Sequence, residues 1–381
     1  MREILLLFYT LFCDRYIYFA ANVHQNKDEN HRMFVLENTN PDPFAGSFTF
    51  KGQITDSTDK WAIDGTAFEH PLSGRLYFIW SGWEGDVNAA QILYIAEMSN
   101  PWTIGSERVE IARPIFNWET NHRPNINEGP QVTIRGDTIL LVYSASGSWT
   151  NDYCLGLITA SLRSDPLKPS SWTKHPNPIF KSANNVFGPG HHSLTTSPDG
   201  TEDWIIYHSA RFKGSGWTRQ VRCQRFTWNA DGTPNLGAPA PPNAPIPLPS
   251  GDPPRVRYEA QDCPVTHGVR CIHDGTASNQ TKVGHIDLPE SSVTFSIYCP
   301  HDGNYVIIIR NCNGTGNRAT ATHSLTINNG SPIQLSVVNS GWDQWGASML
   351  RTRLKRGPNT LILKKGNHYA ELDVLDLVLE Q

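Results

Sequence analysis

The sequence predicts an all-β protein of two domains, a β-propeller followed by a β-sandwich. Three observations point there: an aromatic, strand-like run repeated four times at near-constant spacing, a proline-rich break after it, and short alternating segments beyond the break. The repeated runs occupy residues 16–20, 76–81, 139–144 and 204–208, and matching Phe19, Trp80, Tyr143 and Tyr207 gives spacings of 61, 63 and 64 residues. Each is followed by a second apolar run, at 33–37, 92–96, 155–159 and 221–225, and then by an aromatic beside a threonine: Phe48-Thr49, Trp102-Thr103, Trp172-Thr173 and Thr227-Trp228. These runs have strand length and strand composition, turn residues separate them, and no helical period of useful length competes. A sheet repeated about every sixty residues is the pattern of propeller blades.

The break follows. Residues 239–254 carry eight prolines with Ala, Asn, Ser and Gly between them, a composition that resists helix and sheet and favours a stiff, extended spacer. Beyond it, alternating segments at 292–297, 304–309 and 360–363 recur between turns, as in a sandwich of about 125 residues. The predicted organisation is therefore an apolar N-terminus of uncertain role at 1–13, a propeller at 14–236, a linker at 237–255 and a sandwich at 256–381.

Composition narrows the function. A net charge of -4 offers no basic stripe for a phosphate backbone, which excludes nucleic acid, and no apolar stretch is long enough to span a bilayer. The run at 4–12 has the length of a signal-peptide core, although Glu3 stands where a basic residue is usual and no small-x-small cleavage site follows promptly. Edge strand, signal and translated intron all remain open for it. Of seven cysteines, four (Cys263, Cys271, Cys299 and Cys312) fall in the last third, where one or two disulfides are expected. Three glycosylation sequons lie there too, beginning at Asn279, Asn313 and Asn329, and together with the cysteines they favour secretion.

The chemistry falls to carboxylates, because the chain has no zinc-spaced Cys/His cluster, no phosphate-binding glycine loop and no Gly-x-Ser-x-Gly elbow. Trp61-Ala-Ile-Asp64-Gly65 and Asn127-Glu128-Gly129-Pro130 hold equivalent places in successive blades. Equivalent points of a propeller converge on its axis, so Asp64 and Glu128 are expected to share one pocket. Cleavage of a glycosidic bond needs such a meeting of groups, one to protonate the leaving oxygen and another to activate water. Each motif alone more often marks a turn.

Residues 16–249 resemble glycoside hydrolase family 43, in particular its α-L-arabinofuranosidases and exo-arabinanases. The strings that carry the resemblance are Tyr16-Ile-Tyr-Phe-Ala-Ala21, Asn30-His-Arg-Met-Phe-Val-Leu-Glu37, Trp61-Ala-Ile-Asp-Gly65, Trp80-Ser-Gly-Trp83, Asn127-Glu-Gly-Pro130, Tyr143-Ser-Ala-Ser146, Tyr153-Cys-Leu-Gly156, Gly188-Pro-Gly-His191 and Thr201-Glu-Asp-Trp204. The resemblance implies a five-bladed propeller and an inverting mechanism that needs no cofactor. It makes Glu128 the general acid and Asp64 the carboxylate that raises its pKa and orients the sugar. It places His191 near the axis, where relatives hold an ion or water, and suggests Trp83, Trp149 and Arg222 as substrate-binding side chains. The implied partners are plant cell-wall polysaccharides, arabinan or arabinoxylan, with β-xylosidase activity as a sister specificity. A family member begins with one more blade, which carries the Asp that acts as general base; here about fifteen residues precede Tyr16, and Asp14 aligns with an ordinary hairpin residue. The expectation is a propeller lacking most of its first blade, with hydrolysis impaired, or a remnant that only binds carbohydrate.

The second domain resembles carbohydrate-binding modules of families 6 and 35 through Tyr258-Glu-Ala-Gln261, Val283-Gly-His-Ile-Asp287, Gly341-Trp-Asp-Gln-Trp345 and Ala370-Glu-Leu-Asp373. That implies a jelly-roll sandwich, a structural calcium held by Glu259, Gln261 and Asp373, and a sugar-stacking face from Trp342 or Trp345. Gln261 stands where the family has a second Glu, which lowers the charge offered to the cation.

Overall fold

The computed structural model describes residues 6–11, 14–22, 28–40, 46–242, 244, 246–316 and 319–380, with side chains from Arg15 onward. These residues form two compact units that divide between Gly251 and Asp252. No helix among them is long and apolar enough to cross a membrane.

The first unit is a succession of four antiparallel blades. Strands β1 (Leu6–Leu11), β2 (Asp14–Asn22), β3 (His31–Asn38) and β4 (Thr49–Ile54) make the first, in that order. The second contains β5 (Ala62–Glu69), β6 (Leu76–Gly82) and β7 (Ala90–Asn100), with β8 (Thr103–Ile104) and β9 (Val109–Ala112) both pairing with β7. In the third, β10 (Asn125–Arg135), β11 (Thr138–Ala145), β12 (Cys154–Ser161) and β13 (Thr173–Lys174) run in sequence. The fourth repeats the pattern with β14 (Phe187–Thr196), β15 (Asp203–Ala210), β16 (Arg219–Trp228) and β17 (Pro234–Asn235). Part of the apolar N-terminus is thus a strand: residues 6–11 pair along β2 from Leu6 opposite Phe19 to Leu11 opposite Asp14. Asp14 opens β2. Residues 1–5, 12 and 13 lie outside the described residues.

The apolar runs are continuous because both faces of a blade are covered. Successive side chains of a strand point to opposite faces, so Phe78 and Trp80 pack with Tyr18 and Val35 against the first blade, whereas Ile79 joins Ile95, Ile139 and Tyr143 against the third. The next residue along β11 repeats the device: Leu140 and Val142 pack with Leu157, Ile205 and Tyr207 between the third and fourth blades.

The proline-rich stretch does not leave the first unit at residue 237. The Gln224 side-chain amide donates to the carbonyls of Leu236 (3.2 Å) and Ala238 (3.0 Å), Asn184 donates to Pro239 O (3.0 Å), and the Ser250 hydroxyl donates to Asp199 (2.5 Å). Prolines lack a backbone donor but keep their carbonyl, and the amide side chains of Gln224 and Asn184 use the carbonyls of Leu236, Ala238 and Pro239.

The second unit is a sandwich. One sheet is ordered Arg270–His273, Thr281–Gly284, Glu371–Leu379, Gly303–Asn313, Gly341–Leu354, with Arg255–Glu259 also pairing along Glu371–Leu379. The other is ordered Val265–Thr266, Ser292–Cys299, Gly357–Lys365, Ala321–Ile327, Ile333–Val337. Alternation decides what faces inward: Phe295, Tyr305, Ile307, Ile309, Leu361 and Leu363 fill the core.

Two expectations for this unit fail. All four of its cysteines are free thiols, and so are Cys154 and Cys223; Cys299 and Cys312 are buried as small apolar residues. Nor is Asn313 open to modification, because it is fully buried and its amide donates to Ala319 O (2.8 Å) and Val337 O (3.1 Å). Asn279 and Asn329 are exposed, each with a positive φ. Expression in a secretory eukaryotic host followed by glycopeptide mass spectrometry is therefore expected to find glycan at Asn279 and Asn329 and none at Asn313.

Candidate active site

Three inner strands of the propeller break register where they carry a polar group. β5 slips against β6 between Ile63 and Thr66, β10 against β11 between Glu128 and Gln131, and β14 against β15 between Gly190 and Ser193. Each bulge holds a residue in the left-handed region: Asp64 (φ 58), Gly129 (φ 55) and His191 (φ 49). Bulges re-aim side chains out of the sheet alternation, and here they aim three toward one point. Asp64 and His191 pay roughly 1–3 kcal/mol each for a conformation that suits glycine. At Gly129 the positive φ favours glycine, and a Cβ there would stand 3.2 Å from Ser144 Oγ and 3.3 Å from His191 Nδ1, so either neighbour would have to shift by a few tenths of an ångström.

One ligand atom from each of Asp64, Glu128 and His191 lies within 4.8 Å of the others. Asp64 and Glu128 are both buried. Asp64 accepts the Gly129 N–H at 3.0 Å, and its other oxygen lies 4.0 Å from His191 Nε2. The Tyr153 hydroxyl donates to Glu128 Oε1 at 2.6 Å. Tyr153 stacks on His208 (5.6 Å between centroids, 8° between planes), and His208 lies 5.9 Å from His191. The Arg219 guanidinium closes this side, donating to His208 Nε2 at 3.1 Å and to Ser148 O at 3.1 Å.

Electrostatics follow from burial. Glu128 is pushed up to about 7, first by desolvation and then by the negative charge of Asp64, with His191, Tyr153 and Arg219 pulling the other way. Desolvation raises Asp64 too, while the Gly129 N–H favours its ionised form. His208 is pulled down to about 3 by burial and by Arg219, so it stays a neutral acceptor. The buried Tyr153 hydroxyl is held well above its ordinary range and remains a donor. Asp64 and Glu128 are both pushed up to about 7, so the pair retains a proton near neutral pH.

The other sequence candidates divide. Trp149 lies at the rim, its ring 5.8 Å from that of the exposed Trp217, which in turn lies under Arg219 at 4.4 Å. Trp83 is not an open platform: it is 5 % exposed and stacked on Trp61 at 4.8 Å and 12°. Arg222 is directed to Ala240 O (2.8 Å), so the guanidinium beside Glu128 belongs to Arg219. Tyr153, His208, Arg219 and Trp217 are the members that sequence reasoning missed. The signal available for Tyr153 was Gly190, whose Cβ would sit 2.2 Å from the tyrosine ring.

In the sandwich, Trp342 is 39 % exposed. Trp345 is half-buried, donating to Thr276 Oγ1 at 3.0 Å beneath the Arg310 guanidinium at 4.8 Å. Glu259 Oε2 and Gln261 Oε1 are buried acceptors with no hydrogen-bond partner among the described residues, which fits oxygen ligands for a hard cation. Asp373 fits less well, because one oxygen accepts the Ser278 N–H (2.9 Å) and the other pairs with Arg310.

The sequence pattern of Glycosyl hydrolases family 43 matches residues 13–234. The chain is 40% identical over 232 residues to an extracellular exo-alpha-(1->5)-L-arabinofuranosidase of Streptomyces avermitilis, covering 59% of this chain and 47% of that protein. It is 34% identical over 297 residues to alpha-L-arabinofuranosidase B of Pyricularia oryzae, covering 75% of this chain and 56% of that protein. Among solved structures, an alpha-L-arabinofuranosidase from Lactobacillus brevis superposes with a TM-score of 0.58 at 36% identity, over 63% of this chain and 77% of that one. The chain spans about half the length of the curated relatives it matches.

Proposed function

Because the chain belongs to Glycosyl hydrolases family 43, we propose that it is a glycosidase whose general acid is Glu128, acting on terminal α-L-arabinofuranosyl residues of arabinan or arabinoxylan. The observation that carries this is the buried carboxyl pair, in which desolvation and the charge of Asp64 favour the protonated form of Glu128. Glu128 gives its proton to the departing glycosidic oxygen while water attacks the opposite face of the sugar and releases a proton to solvent, inverting the anomeric centre; a carboxylate base for that proton is not among the described residues of the cluster. The Gly129 N–H favours the ionised form of Asp64, which in that form raises the affinity of Glu128 for its proton and offers an acceptor to sugar hydroxyls. Trp149 and Trp217 supply apolar faces at the rim and Arg219 a fixed fork of donors. The relatives' names support arabinofuranose over xylose, and two of them are named extracellular, which supports a secreted protein.

The test is arabinose release from α-1,5-arabinooligosaccharides and from nitrophenyl α-L-arabinofuranoside, with nitrophenyl β-D-xyloside alongside. Release from the arabinooligosaccharides that Glu128→Gln leaves unchanged removes the acid assignment. A second reading, a carbohydrate-binding protein without turnover, is favoured by the make-up of the cluster, which among the described residues brings only two carboxylates, Asp64 and Glu128, together with His191. Binding of arabinooligosaccharides without release of arabinose would establish it.

For the sandwich the proposal is a carbohydrate-binding module with Trp342 as its stacking face and a hard cation, calcium, held by Glu259 and Gln261. The cation would neutralise the Glu259 carboxylate and supply partners for both orphaned oxygens. Calcium chloride at millimolar concentration is expected to raise the Tm of this unit, with EDTA lowering it and Glu259→Gln removing the response. A melting curve indifferent to both additives discards the cation.

A further inference from the structure

A further buried carboxylate, Glu119, has no place in the chemistry above. It is fully buried at the end of the short turn Asn117–Glu119 and engages five groups. The Ile115 and Phe116 N–H groups donate to Oε2 (2.8 and 2.9 Å), the Tyr143 hydroxyl and Asn127 Nδ2 donate to Oε1 (2.8 and 2.9 Å), and Lys174 Nζ lies 2.5 Å from Oε1. Lys174 comes from β13, the outermost strand of the third blade, and also donates to Asn127 Oδ1 at 3.1 Å and to Arg113 O at 2.7 Å. Asn127 is on the innermost strand, next to Glu128, and both ends of its side chain are held by this one pair. Its carbonyl accepts the Ser81 hydroxyl of the second blade at 2.9 Å.

We infer that Asn127 is a positioning residue, through which the buried Glu119–Lys174 pair fixes the bulge of β10 and so sets where Glu128 sits between Asp64 and Tyr153. The register of β10 supports it. Asn127 and Glu128 are the last two residues paired with β11 before the ladder breaks, so the backbone beyond them, Gly129 included, has no ladder partner until Gln131. A strand released from its neighbour at that point needs another anchor to keep a side chain within a few tenths of an ångström of its working position. The Asn127 carboxamide is clamped on both of its polar atoms and supplies it. A neutral partner could pack there, but a charged pair gives two directional clamps at once.

The inference rests on Glu128 being the acid, and its decisive readout does not need turnover. Carboxyl titration by 13C NMR of glutamate-labelled protein, with the Glu128 resonance identified from Glu128→Gln, reports the surroundings of that group. Asp64 from the second blade, Tyr153 from the third, and His191 and Arg219 from the fourth face it. Asn127→Ala cuts the link while leaving Glu119 its lysine, its tyrosine and both backbone donors, so folding is expected to survive. The Glu128 midpoint is expected to fall by about one pH unit or more as the strand relaxes and water reaches the carboxyl. Tyr143→Phe removes another bond to Glu119 without touching Asn127, and is expected to leave the midpoint in place. An unchanged midpoint in Asn127→Ala, or an equal shift in Tyr143→Phe, overturns the inference. Kinetics supply the second arm: Asn127→Ala is expected to lose about tenfold or more in kcat/KM on α-1,5-arabinobiose, whose leaving group needs the acid, and less than about threefold on the nitrophenyl arabinofuranoside. Equal losses on both substrates also count against positioning. If the unaltered protein releases no arabinose, the proposed activity falls and the titration still decides the role of Asn127.

Discussion

Glu128→Gln is expected to lower kcat/KM on arabinooligosaccharides by about 10²–10⁴-fold, the usual contribution of a general acid, and far less on nitrophenyl α-L-arabinofuranoside. Glutamine keeps the shape and accepts the Tyr153 hydroxyl, so substrate binding should persist while the proton source is gone. The pH profile carries the same information. Glu128 is pushed up to about 7 by burial and by Asp64, so activity that depends on its proton falls as pH rises through that value. The substitution also has a stability consequence of defined sign. A carboxyl whose folded pKa is raised holds its proton more tightly folded than unfolded; its burial begins to cost stability above the unfolded value of 4.5 and costs most above the folded value near 7. Glu128→Gln removes that cost. Its Tm is expected to exceed that of the unaltered protein at pH 8, with the difference vanishing by pH 4, in melting curves taken across that range. A variant less stable at pH 8 than at pH 4, relative to the parent, would mean that Glu128 is not the buried proton holder.

The site was legible in the sequence where the repeat itself fixed position. Asp64 and Glu128 occupy matching places in adjacent blades, and a propeller brings matching places together whatever the surrounding sequence. The basic member could not be placed the same way. Arg219 and Arg222 lie on one strand, three residues apart, and in a strand of period two an odd separation puts them on opposite faces. Choosing between them needs the register against β15, where Tyr207 faces Arg222 and Ala210 faces Arg219. Trp83 failed for a related reason: an indole at a strand end serves as platform or as core, and only the stack on Trp61 decides. The proline-rich segment was recognised from composition, but its carbonyls find donors on Gln224 and Asn184, and that pairing is not encoded in the segment itself. Glu119 gave no signal at all, because it lies in a short turn outside the repeated strands and its partners, Ile115, Phe116, Asn127, Tyr143 and Lys174, meet only once the third blade has folded.

Glu119 is where the largest loss of stability is expected. Glu119→Ala leaves the Lys174 ammonium in a site where it is 11 % exposed, and it strips acceptors from the Tyr143 hydroxyl, the Asn127 amide and two backbone N–H groups. Removing one partner of a buried pair costs about 3–5 kcal/mol, since the remaining charge stays desolvated without compensation. For a unit of this size that corresponds to a fall in Tm of about 6–20 °C. Desolvation already pulls the Lys174 ammonium below its ordinary range, and loss of Glu119, which opposes that pull, lowers it further. The variant can therefore recover part of the loss by shedding the lysine proton. The deficit should shrink as pH rises, because the neutral amine is the form that tolerates burial. Removing both charges is the informative comparison. In Glu119→Gln combined with Lys174→Met, the amide oxygen still accepts from Tyr143 and Asn127 and no charge is stranded, so about half or more of the single variant's loss is expected to return. Thermal or urea melts of the three proteins at pH 7 and 9 separate these terms. If Glu119→Ala melts within about 2 °C of the parent at pH 7, the five groups around Glu119 find water instead, and the third blade is held by its apolar faces alone.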